Sequence, residues 1–413
     1  MPEIVVGRDE NDLKKYGEEG TIFIGKHMVG TGEEAHTTTP ILMDVLRPHI
    51  ITLTGKRGEG KSYSMGVFIE EITKLPEKIK KNLCALVVDT QGIFWTMKSP
   101  SEKDATLLAD WGLKPKGFNV FVYVPEGQSK LFSDAGVEFD SSFSFMPSEL
   151  TVEDWINVFG FDLNEPISIL LQRTISRLKK TKEEYSIDDI ISSLKLQEGF
   201  EKEILNLENR FLAAKDWGIF GESNAPKILE PGKISILDVS LTPQNVRSLL
   251  VALISRKIFI DRVAARRKEE LADIELTTIK RTPMPWIFID EAHNFLPNDG
   301  ITPSTDILLK IVKEGRQPGI TLVFATQRPE KLHADALAQC DMIISHRLTA
   351  KADIDALKSI MQTYMLYDIS KYINELPKLK GVAIILDDNS ERIYKARIRP
   401  RQSWHAGSSP IAL

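Results

Sequence analysis

The sequence predicts an α/β protein with a mainly parallel sheet, helices on both faces of that sheet, and an α-helical insertion. Three observations support this fold class. Short apolar, β-branched segments alternate with amphipathic helical segments along most of the chain, which is typical of parallel strands joined by helices. One such strand runs into a glycine-rich turn and then a helix, the setting of a phosphate-binding loop. From about residue 147 to 222, helix follows helix with no strand between them.

These changes of pattern divide the 413 residues into five parts. The first part has one predicted strand, at Thr21–Ile24, and is too short to bury a core of its own. We expect, in chain order, a short β-rich amino-terminal segment (1–40), the first part of the α/β core (41–146), the α-helical insertion (147–230), the second part of the core (231–400) and a carboxyl-terminal tail (401–413).

The remaining strands and helices follow from apolar periodicity. Strands are predicted at His49–Thr54, Leu83–Asp89, Val120–Val124, Ile234–Val239, Trp286–Ile289, Thr321–Thr326, Met342–Ser345 and Val382–Leu386. In the insertion, Thr151 with Asp154 opens one helix and Ser186 opens another. Further helices are predicted at Tyr63–Ile72, Glu165–Lys180, Asn245–Lys268 and Ser304–Glu314.

A phosphate-binding loop follows the strand His49–Thr54. Residues 55–62 fit the pattern G-x-x-x-x-G-K-[ST] without a mismatch. The glycines let backbone N–H groups surround a polyphosphate at a positive helix end. Lys61 is expected to reach the β- and γ-phosphates, and Ser62 to bind Mg²⁺. A chance glycine turn is the alternative, which the flanking strand and helix disfavour. The residues predicted to contact the nucleotide, ATP, are Gly55, Lys56, Arg57, Gly58, Glu59, Gly60, Lys61, Ser62 and Tyr63.

Two carboxylates end another predicted strand. Asp290 and Glu291 directly follow the apolar segment Trp286–Ile289. An acid beside the phosphate-binding loop can hold the Mg²⁺ shell, which is the role predicted for Asp290. The next acid, Glu291, can polarise the water that attacks the γ-phosphate. The alternative is a pair of surface acids after a strand. His293 either contacts the nucleotide or only packs.

The strand Thr321–Thr326 ends in a polar amide, Gln327. At the tip of a strand beside the acid-bearing one, this amide can hydrogen-bond water or the γ-phosphate and report hydrolysis. We therefore predict that Gln327 is the γ-phosphate sensor. For the neighbouring Arg328, the alternative to a role in the site is a solvated surface charge.

An arginine at the γ-phosphate accelerates hydrolysis by about 10³–10⁵-fold. The chain has room for one ATP-binding core, so we expect this arginine to come from a neighbouring subunit, which predicts a ring. Arg316 lies between the Ser304 helix and the Thr321 strand and is expected at the functional edge of the sheet. Arg347, after the Met342 strand, is the second candidate. For either arginine, a structural ion pair is the alternative.

Composition excludes some classes of protein and leaves others open. No apolar run approaches the about 20 residues that span a bilayer, and the amino terminus is no signal peptide, so no membrane is expected. Cys84 and Cys340 lie in or beside apolar runs, which predicts core packing in a reducing cytoplasm. The seven histidines show no metal-ligand spacing, so no structural zinc is predicted.

Charge gives no global evidence for a nucleic-acid partner, since the net charge is −5. Two basic runs, Arg262–Lys268 and Arg392–Arg401, are of the kind that usually forms a solvated face. A ring can nevertheless concentrate positive charge in its pore while its outside stays acidic. A DNA partner therefore stays open on charge alone.

Three motifs together carry a family resemblance. The chain contains, in this order, the segments GKRGEGKS, WIFIDEAHNFLP and KEGRQPGITLVFATQRPEKLH. These segments resemble motifs of the HerA/FtsK superfamily of ring-forming DNA motors, and within that superfamily their sequences are most similar to HerA. The ending Ile398–Arg401, with His405–Gly407 nearby, is also similar to HerA carboxyl tails. The likeness covers residues 41–95 and 231–407, and weakly the helical insertion.

The resemblance implies a RecA-like P-loop NTPase core, a homo-oligomer that is a hexamer, and ATP-driven movement along double-stranded DNA. It implies the roles given above to Lys61, Ser62, Asp290, Glu291 and Gln327. Arg316 also matches the position of the family's trans-acting arginine. Members typically act with a nuclease or with effector subunits in phage defence. The family's amino-terminal β-barrel is expected to be truncated or missing, which leaves room for a different partner.

Four functions compete at this point. An ATP-dependent DNA translocase or helicase motor is the leading prediction, from the acid pair, the single core and the resemblance. An ATP-gated hexameric scaffold that assembles and activates an effector without translocating is the alternative. A DNA or protein pump at a membrane is weaker, because no membrane segment is seen. The letters DEAH also suggest two-core helicases, but those need a second RecA-like core on the chain.

Overall fold

A computed structural model describes residues 3–30, 34–222, 224–348, 351–360, 376–377 and 379–407. In these residues, thirteen strands form one sheet. The strands are β1 (Ile4–Val6), β2 (Thr21–Val29), β3 (His36–Asp44), β4 (Ile50–Thr54), β5 (Leu83–Asp89), β6 (Phe121–Pro125), β7 (Ser141–Phe143), β8 (Ile234–Asp238), β9 (Met284–Ile289), β10 (Thr321–Thr326), β11 (Met342–His346), β12 (Val382–Asp387) and β13 (Arg392–Ile398). Every predicted strand is present, and β1, β3, β7 and β13 were not predicted.

The α-helices of the described residues surround this sheet. They are α1 (Glu10–Tyr16), α2 (Lys61–Lys74), α3 (Glu77–Lys80), α4 (Ala105–Asp110), α5 (Ser129–Asp134), α6 (Val152–Phe159), α7 (Pro166–Thr181), α8 (Ile187–Leu194), α9 (Glu201–Lys215), α10 (Gln244–Ile274), α11 (Thr305–Glu314), α12 (Ala334–Ala338) and α13 (Lys351–Ile360). None of them is long and apolar enough to cross a membrane.

The sheet has a parallel half that carries the chemistry. Its order is β1-β3-β2-β13-β12-β11-β4-β10-β9-β5-β8-β6-β7, and every neighbouring pair from β11 to β7 is parallel. The carboxyl ends of these eight strands therefore lie along one edge. Side chains alternate between two cores: Ile287 and Ile289 of β9 face one core, whereas Trp286 and Phe288 face the other. The predicted mainly parallel α/β fold is confirmed.

The other half of the sheet joins the two ends of the chain. The pairs β11–β12, β12–β13, β13–β2 and β2–β3 are antiparallel, and β1 pairs with β3 in parallel. The first strands thus extend the same sheet through β13. The sequence did not predict this pairing, because β2 and β13 are nearly 370 residues apart and no local signal connects them.

The helices between β7 and β8 share one core with α10. Trp155 of α6 packs against Phe159 and against Phe211 of α9, with ring centroids 5.5 and 4.9 Å apart. The predicted opening at Thr151 is present: Thr151 Oγ1 accepts the N–H of Asp154, whose carboxylate accepts the N–H of Thr151, a reciprocal cap. α10 has 31 residues, so it is about 46 Å long and crosses this face of the sheet.

The two basic runs are not wholly solvated, which corrects that expectation. Arg399 and Arg401 are fully buried, and Arg399 Nη1 lies 2.8 Å from Oε2 of Glu70 on α2. Arg262 is also buried and pairs with Glu269 at 3.2 Å. The run from Arg392 begins as β13, and its last residues pass beneath α2. Part of the predicted tail, residues 408–413, lies outside the described residues.

Candidate nucleotide site

Three neighbouring strands bring most of the predicted site residues to one edge of the sheet. The order β4-β10-β9-β5 places the phosphate-binding loop, Gln327 and the Asp290–Glu291 pair after three adjacent strands. The register pairs Thr326 with Thr54 across β10 and β4. Residues more than 200 positions apart in sequence therefore meet at this edge.

The phosphate-binding loop depends on two glycine positions in particular. Gly60 has φ +119 and stands directly before α2, a left-handed conformation that glycine tolerates. At Gly55, a Cβ would lie 2.7 Å from Cβ of His346, so the loop can pass close to the end of β11 only without a side chain. Lys56, Arg57 and Gly58 are exposed at the tip, and Glu59 is half-buried. The loop thus leaves the N–H groups at the start of α2 available to an anion.

Lys61, Ser62 and Asp290 form the centre of the site. Lys61 is buried, and burial lowers its pKa while the nearby Glu291 and Asp290 oppose that shift. Ser62 Oγ donates to Oδ2 of Asp290 at 3.1 Å. Burial, and then Glu291, raise the pKa of Asp290 to about 6, so this carboxylate favours an added positive charge. A hydroxyl and a carboxylate oxygen suit Mg²⁺, which keeps several of its waters when protein-bound.

Glu291 is held in an unusual backbone conformation. Its φ of 50 and ψ of 47 are left-handed, a region sparsely used by residues other than glycine and often found at functional sites. Oε1 of Glu291 accepts hydrogen bonds from the side-chain amides of Gln327 and, at 3.4 Å, of Gln91. Gln327 therefore contacts the predicted base directly. Gln91 was not predicted.

His293 and Tyr63 have protein partners. His293 Nδ1 lies 3.0 Å from Oγ1 of Thr326, and burial lowers its pKa. The Tyr63 hydroxyl accepts the backbone N–H of Arg401 at 2.6 Å, and its ring lies edge-on to His405 with centroids 5.3 Å apart. A nucleotide contact from Tyr63 would therefore come from its backbone N–H.

Arg316 lies on the opposite edge of the sheet, so its expected place at the functional edge is wrong. It precedes Thr321, the first residue of β10, whereas the site lies after Thr326, the last. Six residues of strand separate the two edges by about 20 Å. Strand direction is the reason: a loop that enters a parallel strand cannot lie where that strand ends. Arg347, by contrast, follows β11, and its carbonyl oxygen accepts the N–H of Lys56 at 3.1 Å.

A buried histidine beside the loop was also missed. His346 is fully buried, with Nε2 2.9 Å from Oγ of Ser64 and Nδ1 3.0 Å from the carbonyl of Val382. Burial lowers its pKa to about 4, so it is neutral and supports the loop through packing and hydrogen bonds. Its signal in sequence, a single histidine ending a strand, is too weak to separate it from a surface residue.

Two family models match the chain, the central domain of helicase HerA over residues 22–258 and the HerA-like carboxyl-terminal domain over residues 279–404. The first alone covers more than half of the 413 residues. The chain belongs to the HerA helicase family. The resemblance drawn from the motifs is thereby confirmed, although the HerA central-domain match begins within β2, well before the predicted start at residue 41.

Individual relatives are distant. The chain is 22% identical over 362 residues to a probable helicase of Methanocaldococcus jannaschii, covering 84% of this chain and 61% of that protein. It is 21% identical to the DNA double-strand break repair helicase HerA of Sulfurisphaera tokodaii, covering 83% and 62%. The chain thus spans about three fifths of the length of these curated relatives. The structure of VirB4 of Thermoanaerobacter pseudethanolicus, with 11% identity and a TM-score of 0.60 over 92% of this chain and 96% of that one, shares the fold.

Proposed function

We propose that this chain is the ATP-hydrolysing subunit of a ring-shaped motor that moves along double-stranded DNA. The observation that carries the proposal is the meeting of Lys61, Ser62, Asp290 and Glu291 at one sheet edge, with Gln327 bonded to Glu291. Membership of the HerA family and the name of the Sulfurisphaera tokodaii relative support DNA as the track. The free thiols of Cys84 and Cys340 fit a reducing cytoplasm.

The chemistry proposed at this edge is hydrolysis of the terminal phosphate of ATP. Lys61 and the N–H groups of the loop bind the phosphates, and Ser62 and Asp290 would hold Mg²⁺, which neutralises phosphate charge when bound. Glu291 accepts a proton from water as the water oxygen bonds to the γ-phosphorus. The bond between that phosphorus and the β–γ bridging oxygen breaks, which yields ADP and inorganic phosphate. Gln327 contacts the same carboxylate and can respond to loss of the phosphate.

The far-edge position of Arg316 supports a ring in which one subunit completes the site of the next. In a head-to-tail ring, opposite sides of each subunit meet their neighbours. Arg316 lines a groove of about 690 Å³ between α10 and α11, together with Arg267, Lys310 and Lys313. We propose that this basic side of one subunit faces the nucleotide of its neighbour, as a hexamer would allow. A nuclease or another effector, including one in phage defence, is the proposed partner of the ring.

ATP turnover measured with and without linear duplex DNA tests the motor. We expect the wild type to be stimulated by DNA, Lys61→Ala to be inactive, and Glu291→Gln to lose about 10²–10⁴-fold in kcat, because a general base contributes that much. Glu198→Gln, an exposed acid of the insertion, is the matched control and should behave as wild type. Wild-type turnover no higher than that of the two site variants would disprove the proposal.

A triplex-displacement assay separates movement from gating. A motor displaces the third strand from duplex DNA as it passes, in an ATP-dependent way that Glu291→Gln abolishes. A ring that hydrolyses ATP but never displaces the strand would favour the ATP-gated scaffold for an effector.

A further inference from the structure

The carboxylate of Glu291 is held from both sides by the strands next to its own. β9, which leads to Glu291, lies between β10 and β5. Gln327 follows β10, Gln91 lies two residues beyond β5, and both side-chain amides donate to the same oxygen, Oε1 of Glu291. Nδ1 of His293 lies 3.6 Å from Oε2 of Glu291, which is beyond hydrogen-bond distance.

The loop that carries Gln91 is firmly fixed. The buried carboxylate of Asp89 accepts four consecutive backbone N–H groups, those of residues 91–94, at 2.7 to 3.1 Å. Arg247 of α10 donates to the carbonyl of Thr90 at 3.4 Å. The side chain of Gln91 is itself exposed, so it contributes little to packing. A rigid loop thus presents one exposed amide to the candidate catalytic base.

We infer that Gln91 is a positioning residue for Glu291: with Gln327 it fixes Oε1 and leaves Oε2 to accept the proton of the attacking water. This inference rests on the proposed role of Glu291 in ATP hydrolysis. Gln327 and Gln91 have different surroundings, since Gln327 follows the strand next to the phosphate-binding loop and Gln91 lies on the far side of Glu291. Both amides are needed, because a carboxylate that accepts a single hydrogen bond on one oxygen can still rotate about that bond.

Substitution of Gln91 by methionine tests the inference, because methionine keeps the length of the side chain and removes its donor. We expect Gln91→Met to lower kcat for ATP about tenfold, since small misplacement of a reacting group can cost up to about 10²-fold in rate. KM and the affinity for a fluorescent ATP analogue should change less than twofold. Gln91→Glu sets a carboxylate against Glu291 and should lower kcat further. Gln172→Met, at an exposed glutamine on α7, is the matched control.

A double variant distinguishes positioning from a general loss of structure. If both amides act through Oε1, the fall in kcat of Gln91→Met combined with Gln327→Met is smaller than the product of the two single effects. The inference about Gln91 is overturned, and the proposed function is not, if Gln91→Met has the same kcat as Gln172→Met. The same holds if Gln91→Met loses ATP affinity in parallel with kcat. A wild type no faster than Glu291→Gln overturns the proposed function, and this inference with it.

Discussion

Asp290 and Glu291 are neighbours in sequence but have different surroundings, and this difference separates their proposed roles. Asp290 is fully buried and bonded to Ser62, whereas Glu291 is slightly exposed and bonded to two amides. The left-handed backbone at Glu291 turns the chain between them. A buried carboxylate beside a hydroxyl suits a cation, and a carboxylate at the rim suits a water molecule.

His49 provides a prediction about stability and pH. It lies buried before β4, with Nδ1 2.6 Å from Asp341 and Nε2 3.1 Å from Asp44. Burial alone would lower its pKa, but Asp341 and Asp44 outweigh burial and raise the pKa to about 9. Because the folded pKa exceeds the unfolded value of about 6.5, this stabilisation is complete below pH 6.5 and is lost as pH rises through 9. Its upper limit is about 3 kcal/mol.

Urea unfolding at pH 6, 7.5 and 9.5 measures this contribution. The free energy of unfolding of the wild type should fall across this range, and His49→Gln should reduce the fall. His36→Gln, at an exposed histidine, should leave the change in unfolding free energy with pH the same as in the wild type. A wild-type slope equal to that of His49→Gln would show that His49 is not charged in the folded protein.

The helix α2 links the phosphate-binding loop to the segment that follows β13. Glu70, fully buried on α2, accepts the N–H groups of Gln402 and Ser403 at 3.1 and 2.9 Å and pairs with Arg399. At the start of the same helix, Tyr63 accepts the N–H of Arg401. The helix that begins at Lys61 is therefore fixed along its length by residues that follow β13.

Breaking this buried pair should be costly. Arg399→Met leaves the carboxylate of Glu70 buried with less compensation, and we expect it to lower the free energy of unfolding by about 3–5 kcal/mol. Lys257→Met breaks an exposed pair with Asp261 and should cost less than about 1 kcal/mol. Chemical denaturation of both variants provides the comparison. Equal losses would mean that the buried pair contributes no more than a surface one.

The parallel half of the sheet has two chemically different edges. The edge after β4, β9 and β10 carries the phosphate-binding loop and the acids. The opposite edge carries a groove lined by Arg316, three other basic residues and one acid, Glu314. A single subunit cannot bring these edges together, because the length of the strands separates them. A ring of identical subunits can, since each interface joins unlike faces.

Mixed rings test whether Arg316 acts on a neighbour. Arg316→Ala and Glu291→Gln rings should each be nearly inactive. A mixture made by dissociating and reassembling both contains interfaces with an intact Glu291 on one subunit and an intact Arg316 on the next. At equal amounts and random assembly, about a quarter of the sites are complete, so ATP turnover should recover to about that fraction.

The control is a mixture of Arg347→Ala with Glu291→Gln. Arg347 lies beside the phosphate-binding loop of its own subunit, so this mixture separates the two candidate arginines. If ATP turnover rises above that of the single-variant rings in the Arg347→Ala mixture but not in the Arg316→Ala mixture, Arg347 is the arginine that acts on the neighbouring subunit. The mass of the assembly with nucleotide, measured on the same samples, gives the number of subunits.

Short sequence motifs were enough to identify the candidate site residues that lie directly after predicted strands. A glycine pattern between a strand and a helix, and acids or an amide directly after an apolar strand, identified Lys61, Asp290, Glu291 and Gln327 as candidates. Each of these signals is contained in fewer than about ten residues, the range over which backbone propensity and side-chain periodicity act. The alternating pattern likewise predicted the parallel α/β fold.

Only the tertiary structure shows which residues distant in sequence are in contact. Gln91 contacts Glu291, 200 residues away in sequence, and Glu70 contacts Ser403, 333 residues away. No sequence motif around these residues predicts either contact. The direction of β10 put Arg316 on the edge opposite to the expected one. Burial also reversed the expected solvation of Arg399 and Arg401. Such outcomes depend on strand order and on which charges the packing brings together, and a one-dimensional pattern contains neither.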